Sequence, residues 1–218
     1  MAPKDGLSAR VIGRLALYRR LLEEMREAEI AHVFSHDLAD RAGLTAAQVR
    51  RDVMGLGYLG SPARGYDVAR LLDCLDGLLD ARRTDQAVLA GVGNLGRALV
   101  SYFGGQRAKV RLAGLFDADP AKVGQELFGL RVQDLADLPA VVKKLKVRVG
   151  IVAVPAPRAQ AVASLMARAG IRGLVNFAPA QLSLPPGVYV ENIDLAVSLE
   201  RAAFMARRGE QSTRSKPP

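Results

Sequence analysis

The segment Val88-Leu89-Ala90-Gly91-Val92-Gly93-Asn94-Leu95-Gly96-Arg97-Ala98 decides the fold of the larger part of this chain of 218 residues. A short apolar run leads into the pattern Gly-x-Gly-x-x-Gly, and an amphipathic segment follows. This order predicts a strand, a tight turn and a helix whose first N–H groups hold a dinucleotide pyrophosphate. Gly91 permits the turn, Gly93 lets the pyrophosphate approach the backbone, and Gly96 lets the helix pack on its strand. We therefore expect the residues from Gly91 to Gly96 to bind a dinucleotide cofactor.

A second predicted strand strengthens this interpretation of the glycine motif. The segment from Lys109 to Phe116 is largely apolar, and Asp117 follows it. Asp117 lies roughly 20 residues after the glycine turn, where a carboxylate accepts hydrogen bonds from a ribose 2′-hydroxyl. A 2′-phosphate would be repelled there, so the sequence favours NADH and NAD⁺ as cofactors. The alternative is an ordinary turn aspartate in front of Asp119 and Pro120.

The charge of the chain is compatible with a polyanionic partner. The formal net charge is +9 and the sequence isoelectric point is about 10.1. Acidic and basic residues nearly balance as far as Arg83, and much of the excess lies near the C-terminus. Composition therefore supports nucleic-acid binding only weakly, and a basic surface without a specific partner is the alternative.

Cysteine and histidine, the usual ligands of transition metals, are scarce in this chain. Cys74 is the only cysteine, which excludes an intramolecular disulfide and a cysteine cluster. His32 and His36 are the only histidines, and we expect them to face solvent rather than to bind zinc. No apolar run approaches the roughly 20 residues of a membrane span, and no signal-peptide core follows Met1. We expect a cytoplasmic protein without a metal.

The N-terminal third predicts a helix-turn-helix. An amphipathic helix is expected over residues 9–30, followed by a short helix over 36–41 that Ser35 caps and Gly43 ends. Thr45 then caps another helix, and Gln48 completes the capping-box pattern Thr-x-x-Gln. Two helices joined by a short glycine turn are typical of this motif.

The second helix of this motif carries the candidate DNA-binding residues. We expect it to present Ala46, Ala47, Gln48, Arg50 and Arg51 outward, because small residues permit close approach while glutamine and arginine read base edges or hold phosphates. The glycine-rich stretch that follows predicts a β-wing with Arg64 near its tip. A surface helical hairpin with solvated arginines is the alternative.

The remainder of the chain predicts a doubly wound α/β domain. After a linker helix over residues 67–79, strands and helices alternate, which indicates a parallel sheet with helices on both faces. Predicted strands cover 87–90, 109–116, 130–132, 147–154, 172–177 and 188–192, and predicted helices cover 94–103, 119–123, 134–145 and 157–169. Two loops follow strands, at Pro155 and at Asn176-Phe177-Ala178-Pro179, and ligands bind at the carboxyl ends of such strands. The alternative is that the prolines in these two loops only end the strands and do not border a ligand.

We expect the chain to divide into four segments along its length. Residues 1–83 would form the winged-helix domain with its linker, 84–192 the Rossmann domain, 193–208 a dimerisation helix, and 209–218 a disordered tail. The last helix, expected from Asp194 to Met205, is apolar on more than one face. Such a helix at the end of a chain requires a partner surface.

The chain resembles the Rex redox-sensing transcriptional repressors from about Ser8 to Arg208. The matching stretches are Arg14-Leu15-Ala16-Leu17-Tyr18-Arg19-Arg20, Thr45-Ala46-Ala47-Gln48-Val49-Arg50-Arg51-Asp52, Gly65-Tyr66-Asp67-Val68, Gly91-Val92-Gly93-Asn94-Leu95-Gly96, Phe116-Asp117-Ala118-Asp119-Pro120-Ala121-Lys122-Val123-Gly124, Gly173-Leu174-Val175-Asn176-Phe177-Ala178-Pro179 and Asn192-Ile193-Asp194-Leu195-Ala196-Val197. Each stretch is weak alone, but their occurrence in this order is highly specific.

The resemblance implies a homodimer that binds palindromic operator DNA and in which the C-terminal helices are swapped. NADH would release the DNA, and NAD⁺ would compete with NADH. The resemblance adds Thr45 to the DNA-binding residues and Lys122 to the cofactor-binding residues. It also implies that Tyr102 and Asp194 rearrange around the nicotinamide, with Arg20 of the DNA-binding domain as their partner. No catalytic residue is implied.

The wing departs from the pattern of the family. Pro62 stands where a basic residue is usual, Ala63 replaces a glycine, and Arg64 occupies the next position. A DNA contact is therefore lost or shifted by two residues. A nucleotide sensor without DNA binding is one alternative function. A dehydrogenase is another, but the sequence shows no histidine after His36 and no other acid–base pair.

Overall fold

The computed structural model describes residues 7–79, 85–104 and 110–214, and the side chains only as far as residue 208. The chain divides into two compact units, Met1–Arg83 and Thr84–Pro218. Each unit has a hydrophobic core of its own. No helix among the described residues is long and apolar enough to cross a membrane.

The N-terminal unit is a small helical domain with a two-stranded sheet. Its elements are α1 (Ala9–Glu27), β1 (His32–Val33), α2 (Ser35–Ala42), α3 (Ala46–Gly55), β2 (Tyr66–Asp67) and α4 (Val68–Leu78). Its core contains buried side chains from every helix, among them Leu15, Leu22, Leu38, Val53 and Leu71. The apolar residues of α1 recur at intervals of three and four, so this helix buries one face against the others.

The helix-turn-helix expected from the sequence is present, with two local corrections. Gly43 ends α2 with a φ of 65°, and the Thr45 hydroxyl caps α3 by accepting a hydrogen bond from the Gln48 N–H. The N-cap of α2 is Phe34 rather than Ser35, because the Asp37 carboxylate accepts from the Phe34 N–H and starts the helix one residue earlier. Gln48 does not complete a capping box, because its side chain is hydrogen-bonded elsewhere. Helix α1 ends at Glu27, three residues before the predicted end.

The predicted wing is a tight turn next to a very short sheet. Ser61 and Gly65 form a β-bridge, with their backbone hydrogen bonds at 2.7 and 2.8 Å. The intervening Pro62, Ala63 and Arg64 form the tip, and strand β2 then pairs antiparallel with β1. Arg64 therefore lies at the tip of the turn, exposed, as the sequence predicted.

The C-terminal unit is built on a seven-stranded sheet. Its elements are β3 (Asp85–Ala90), α5 (Asn94–Gly104), β4 (Val110–Asp117), β5 (Glu126–Leu127), β6 (Leu130–Asp134), a 3₁₀ turn (Leu135–Asp137), α6 (Leu138–Leu145), β7 (Val149–Val152), α7 (Ala156–Ala169), β8 (Gly173–Asn176), β9 (Tyr189–Asn192) and α8 (Leu195–Arg214). The strand order is β5-β6-β4-β3-β7-β8-β9, and every pair except β5–β6 is parallel. Without β5 this is the order 3-2-1-4-5-6 of dinucleotide-binding sheets, with β3 as its first strand.

Four features of this unit differ from the expectation. The helix expected over 134–145 begins only at Leu138, because Asp134 ends β6 and caps a 3₁₀ turn from Leu135 to Asp137. Residues 119–123 form turns rather than a short helix, because the Asp117 and Asp119 carboxylates take the backbone N–H groups of Asp119 and Ala121. The edge strand β5 was not predicted, since two residues carry no periodicity. Helix α8 continues to Arg214, so it extends beyond the expected end at Met205 and includes residues 209–214 of the expected tail; no proline lies between Leu195 and Arg214 to end it earlier. Residues 215–218 of the expected tail lie outside the described residues.

Candidate functional sites

A large cavity of the C-terminal unit lies at the carboxyl edge of the sheet, where the strand order reverses. Its volume is about 450 Å³. It is lined by the glycine turn after β3, by the segment after β4 and by the segment after β7. Of the predicted cofactor-binding residues, it contains Gly91, Gly93, Asp117, Lys122 and Pro155. Parallel strands of this order open such a crevice for a nucleotide.

The three glycines of the turn serve different purposes. Gly91 has a φ of 99°, and an added Cβ would lie 2.4 Å from the Ala153 carbonyl oxygen. A Cβ on Gly96 would lie 1.9 Å from the carbonyl oxygen of Gly91, so the helix packs too closely for any side chain. A Cβ on Gly93 would meet nothing within 4 Å, and its backbone is outside the left-handed region. Neither packing nor backbone strain among the described residues requires glycine at position 93, which fits a ligand that approaches from outside.

Asp117 is held firmly at the end of β4 and faces this cavity. Its Oδ2 accepts the Val92 N–H at 2.7 Å and the Lys122 ammonium at 3.2 Å, while Oδ1 accepts the Asp119 N–H at 3.0 Å. Burial by itself would raise the pKa of Asp117, but these donors outweigh it and hold the pKa below its ordinary value. Asp117 is therefore an ionised acceptor at the mouth of the glycine turn, and Oδ1 retains capacity for a further donor.

A second, smaller cavity joins two groups of predicted residues. It contains Asn176, Ala178 and Pro179 of the loop after β8 together with Asp194 at the start of α8. Asn176 is buried and fully engaged: its amide donates to the Ala180 carbonyl and to Asn192, and its oxygen accepts the Ala178 N–H. Asn176 thus shapes the loop, whereas Asp194 caps α8 by accepting the Val197 N–H at 3.0 Å.

The other predicted residues of this unit lie outside these two cavities. Val92 is buried, Asn94 and Leu95 are exposed in the first turn of α5, and Phe177 is half-buried. The Tyr102 side chain is 66% exposed and packs edge-on against Phe103. Tyr102 and Asp194 belong to the C-terminal unit and Arg20, which is exposed, to the N-terminal unit.

Sequence reasoning missed one cation of the large cavity. Arg158 lines it from the first turn of α7, beside the apolar side chains of Leu135, Val154 and Val162. The Arg158 side chain makes no hydrogen bond or ion pair with the residues that the structure describes, so its guanidinium is available to a bound anion or ring. The sequence could have indicated Arg158, because it lies three residues after Pro155, at the carboxyl edge of a predicted parallel strand where ligands bind.

In the N-terminal unit, hydrogen bonds to Asp52 of α3 join this helix to α1. We call Asp52 and its three partners, Arg14, Tyr18 and Gln48, the Asp52 clamp. The Arg14 guanidinium donates to both Asp52 oxygens, at 2.6 and 2.7 Å, and Tyr18 and Gln48 donate to them at 2.9 and 2.8 Å. Burial alone would raise the pKa of Asp52, but these hydrogen bonds lower it below its usual range. Arg50 and Arg51 are exposed next to this clamp, and Arg50 donates to the Ser35 hydroxyl at 3.0 Å. Ala46 is half-buried, so it is less accessible than expected.

The described residues offer no alternative centre built on a metal. No group of three or more potential metal ligands occurs among them. His32 and His36 are both exposed, as predicted, and His36 stacks on the ring of Phe34.

Curated relatives decide which family the chain belongs to. A redox-sensing transcriptional repressor Rex from Rhodopirellula baltica is 41% identical over 198 residues, which cover 91% of this chain and 84% of that protein. One from Carboxydothermus hydrogenoformans is 40% identical over 197 residues, with 90% and 95% covered. The chain belongs to the Rex family of redox-sensing transcriptional repressors.

Family models and solved structures agree with membership of the Rex family. A model described as "Putative DNA-binding protein N-terminus" matches residues 6–53, and one described as "CoA binding domain" matches residues 83–180. A crystal structure of RSP, a Rex-family repressor, has a TM-score of 0.84 and 31% identity, and covers 97% of this chain and 99% of its own. RSP with NAD⁺ and operator DNA (TM-score 0.84) and RSP with NADH (TM-score 0.83) match over 96% of this chain at 31% identity.

Proposed function

We propose that this protein is a repressor that binds operator DNA and is released from it by NADH. The observation that carries the proposal is that one chain of the Rex family contains both a dinucleotide cavity and a helix-turn-helix. NADH-bound and operator-bound structures of the related RSP support it.

The large cavity is the proposed NADH site. The pyrophosphate lies against the turn from Gly91 to Gly96, where the N-terminal N–H groups of α5 and its dipole attract an anion. Asp117 accepts from the adenosine ribose, and the Lys122 ammonium beside it orients that carboxylate. Pro155 and the loop from Asn176 to Pro179 border the cofactor further along the sheet edge.

Operator binding is proposed for helix α3 and the wing. Arg50 and Arg51 face solvent, and Thr45 begins the helix, so this end of α3 is suited to a major groove. Arg64 at the tip of the wing takes over the contact that a basic residue at position 62 would make. Pro62 and Ala63 restrict the turn and bring Arg64 to its end.

The response to NADH is proposed to be a rearrangement within a homodimer. Leu195, Val197, Leu199, Phe204 and Met205 of α8 are all about half exposed or more, which fits a helix swapped onto a second copy. Two recognition helices must stand one DNA turn apart, roughly 34–36 Å, so any change in their spacing ends operator binding. The residues that rearrange according to the redox state of the nicotinamide are Asp194, Tyr102 and Arg20. No chemical step on a substrate is required, and the protein acts as a cytoplasmic regulator rather than an enzyme.

A gel-shift experiment with the DNA upstream of the protein's own gene tests this function. We expect a specific complex that NADH dissociates and that NAD⁺ protects by competition. By linkage, saturating operator must lower the affinity for NADH by the factor by which NADH lowers the affinity for operator. Equal NADH affinities with and without operator would contradict the proposal. NADH binding without any DNA complex would instead indicate a nucleotide sensor that does not bind DNA.

A further inference from the structure

The side chain of Gln48 is hydrogen-bonded at both ends. Its Nε2 donates to Asp52 Oδ1 at 2.8 Å, and its Oε1 accepts from Arg51 Nη2 at 3.0 Å. Gln48 is half-buried, whereas Arg51 is exposed. A chain of contacts thus runs from the buried Asp52 through one amide to an arginine on the surface of α3.

The orientation of this amide follows from the charges of its neighbours. Asp52 is a carboxylate and can only accept, and Arg51 is a guanidinium and can only donate. Turning the amide around would place its oxygen against the carboxylate and its NH₂ group against the guanidinium. Both hydrogen bonds would then be lost, so a single orientation satisfies the site.

The anchor at the inner end is rigid. The Asp52 side chain is 5% exposed, and Arg14 and Tyr18 of α1 hold it through three further hydrogen bonds of 2.6–2.9 Å. An amide bonded to such a carboxylate has little rotational freedom left. Whatever binds the outer end of this amide is therefore held in place as well.

We propose that Gln48 is a positioning residue that holds the Arg51 guanidinium ready for base readout and does not itself read a base. This inference rests on the proposed operator binding and is an alternative to the expectation that Gln48 contacts DNA directly. Arginine has five N–H donors, and the bond to Gln48 uses one of them. Enough donors remain for the bidentate contact with guanine that arginine makes in a major groove.

Arg50 provides an internal comparison. It precedes Arg51 in the same helix and is equally exposed, but its partner is the Ser35 hydroxyl at 3.0 Å rather than Gln48. Substitution of Gln48 should therefore reduce the contribution of Arg51 to DNA affinity and leave the contribution of Arg50 unchanged.

A double-mutant cycle with the full-length protein tests the proposal. The wild-type protein first selects its preferred duplex from a pool of randomised double-stranded DNA, which also tests the proposed function separately. Affinities are then measured by fluorescence anisotropy for Gln48→Ala, Arg50→Ala, Arg51→Ala and the two double variants. Each affinity is measured on the selected duplex and on duplexes with single base-pair changes.

We expect Arg51→Ala to weaken binding about tenfold and to abolish preference at one base pair. Gln48→Ala should weaken binding severalfold, reduce preference at that same base pair, and add almost nothing in the Arg51→Ala background. The effects of Gln48→Ala and Arg50→Ala should multiply. A merely structural role of Gln48 would lower the affinity for all duplexes alike.

Besides a uniform loss of affinity for all duplexes, two results would overturn the inference while leaving operator binding intact. One is a loss of preference at a different base pair in Gln48→Ala, multiplying with the effect of Arg51→Ala, which would make Gln48 a direct reader. The other is wild-type affinity and preference in Gln48→Ala. If the wild-type protein selects no duplex, the proposed function itself fails and the inference with it.

Discussion

At the scale of single residues, the glycine turn contains positions where packing requires glycine and one position, Gly93, where it does not. Gly96→Ala would place a methyl group 1.9 Å from the Gly91 carbonyl oxygen, so we expect it to destabilise the C-terminal unit by at least about 2 kcal/mol. Gly93→Ala meets open space, so we expect unchanged stability but NADH binding weaker by about tenfold or more.

Thermal unfolding and calorimetric titration with NADH distinguish these two glycine variants. The paired substitutions control for each other, because both add one methyl group within the same turn. A Gly93→Ala variant with wild-type NADH affinity would show that the pyrophosphate does not approach this backbone.

Asp117 carries the prediction on cofactor choice at the same scale. In Asp117→Asn the side-chain oxygen can still accept the Val92 N–H, but the negative charge that repels a 2′-phosphate is gone. We expect the wild-type protein to bind NADH more tightly than NADPH, and Asp117→Asn to lose most of this preference, as measured by calorimetry. Asp119→Asn is the matched control, since its carboxylate is 45% exposed and close by. A preference that survives in Asp117→Asn would remove Asp117 from the ribose role.

At the scale of elements, the Asp52 clamp joins α1 to α3 and gives the N-terminal unit a specific pH dependence. The pKa of Asp52 is lower in the folded than in the unfolded protein, because the hydrogen bonds from Arg14, Tyr18 and Gln48 outweigh burial. The clamp therefore stabilises the fold above the ordinary aspartate pKa of about 3.9, and this contribution is lost as the pH falls through the folded pKa.

Asp52→Asn should lower the free energy of opening of α1 and α3 by about 2–3 kcal/mol at neutral pH, less than for a fully buried pair because Arg14 is 17% exposed. Hydrogen exchange of the amides in these helices measures it. The difference from wild type should shrink as the pH approaches the folded pKa of Asp52. Asp40→Asn, at an exposed position of α2, is the control. A difference that does not change with pH would contradict the charge-based account.

At the scale of the whole molecule, α8 carries the prediction of a dimer. Leu199 is 72% exposed within the apolar first part of this helix. If α8 packs on a second copy, Leu199→Asp buries a charge in that interface, and we expect light scattering to show dissociation at concentrations where the wild type is a dimer. Operator binding should be lost with the dimer. Arg201→Asp is the control at a polar position, and equal masses for wild type and Leu199→Asp would exclude this interface.

Much of the architecture could be predicted from the sequence, because the signals involved act over a few residues. Gly43 and Thr45 set the turn between α2 and α3, the glycine motif sets the entry to α5, and alternating apolar runs and amphipathic segments indicate a parallel sheet. The position of Asp117 at the end of its strand was also predictable, since a strand that ends at a sheet edge presents its last residue there.

Only the tertiary structure decided which distant residues meet. Asp52 is bonded to Arg14 and Tyr18, which are 38 and 34 positions away, and no local periodicity encodes that pairing. The same holds for Arg158, which reaches the large cavity because β7 pairs directly with β3. Local propensities act within a turn or a strand, whereas these contacts depend on how helices and strands pack. The sequence alone therefore determined the elements and the kind of site, and the packed fold determined that the Gln48 amide is hydrogen-bonded to both Asp52 and Arg51.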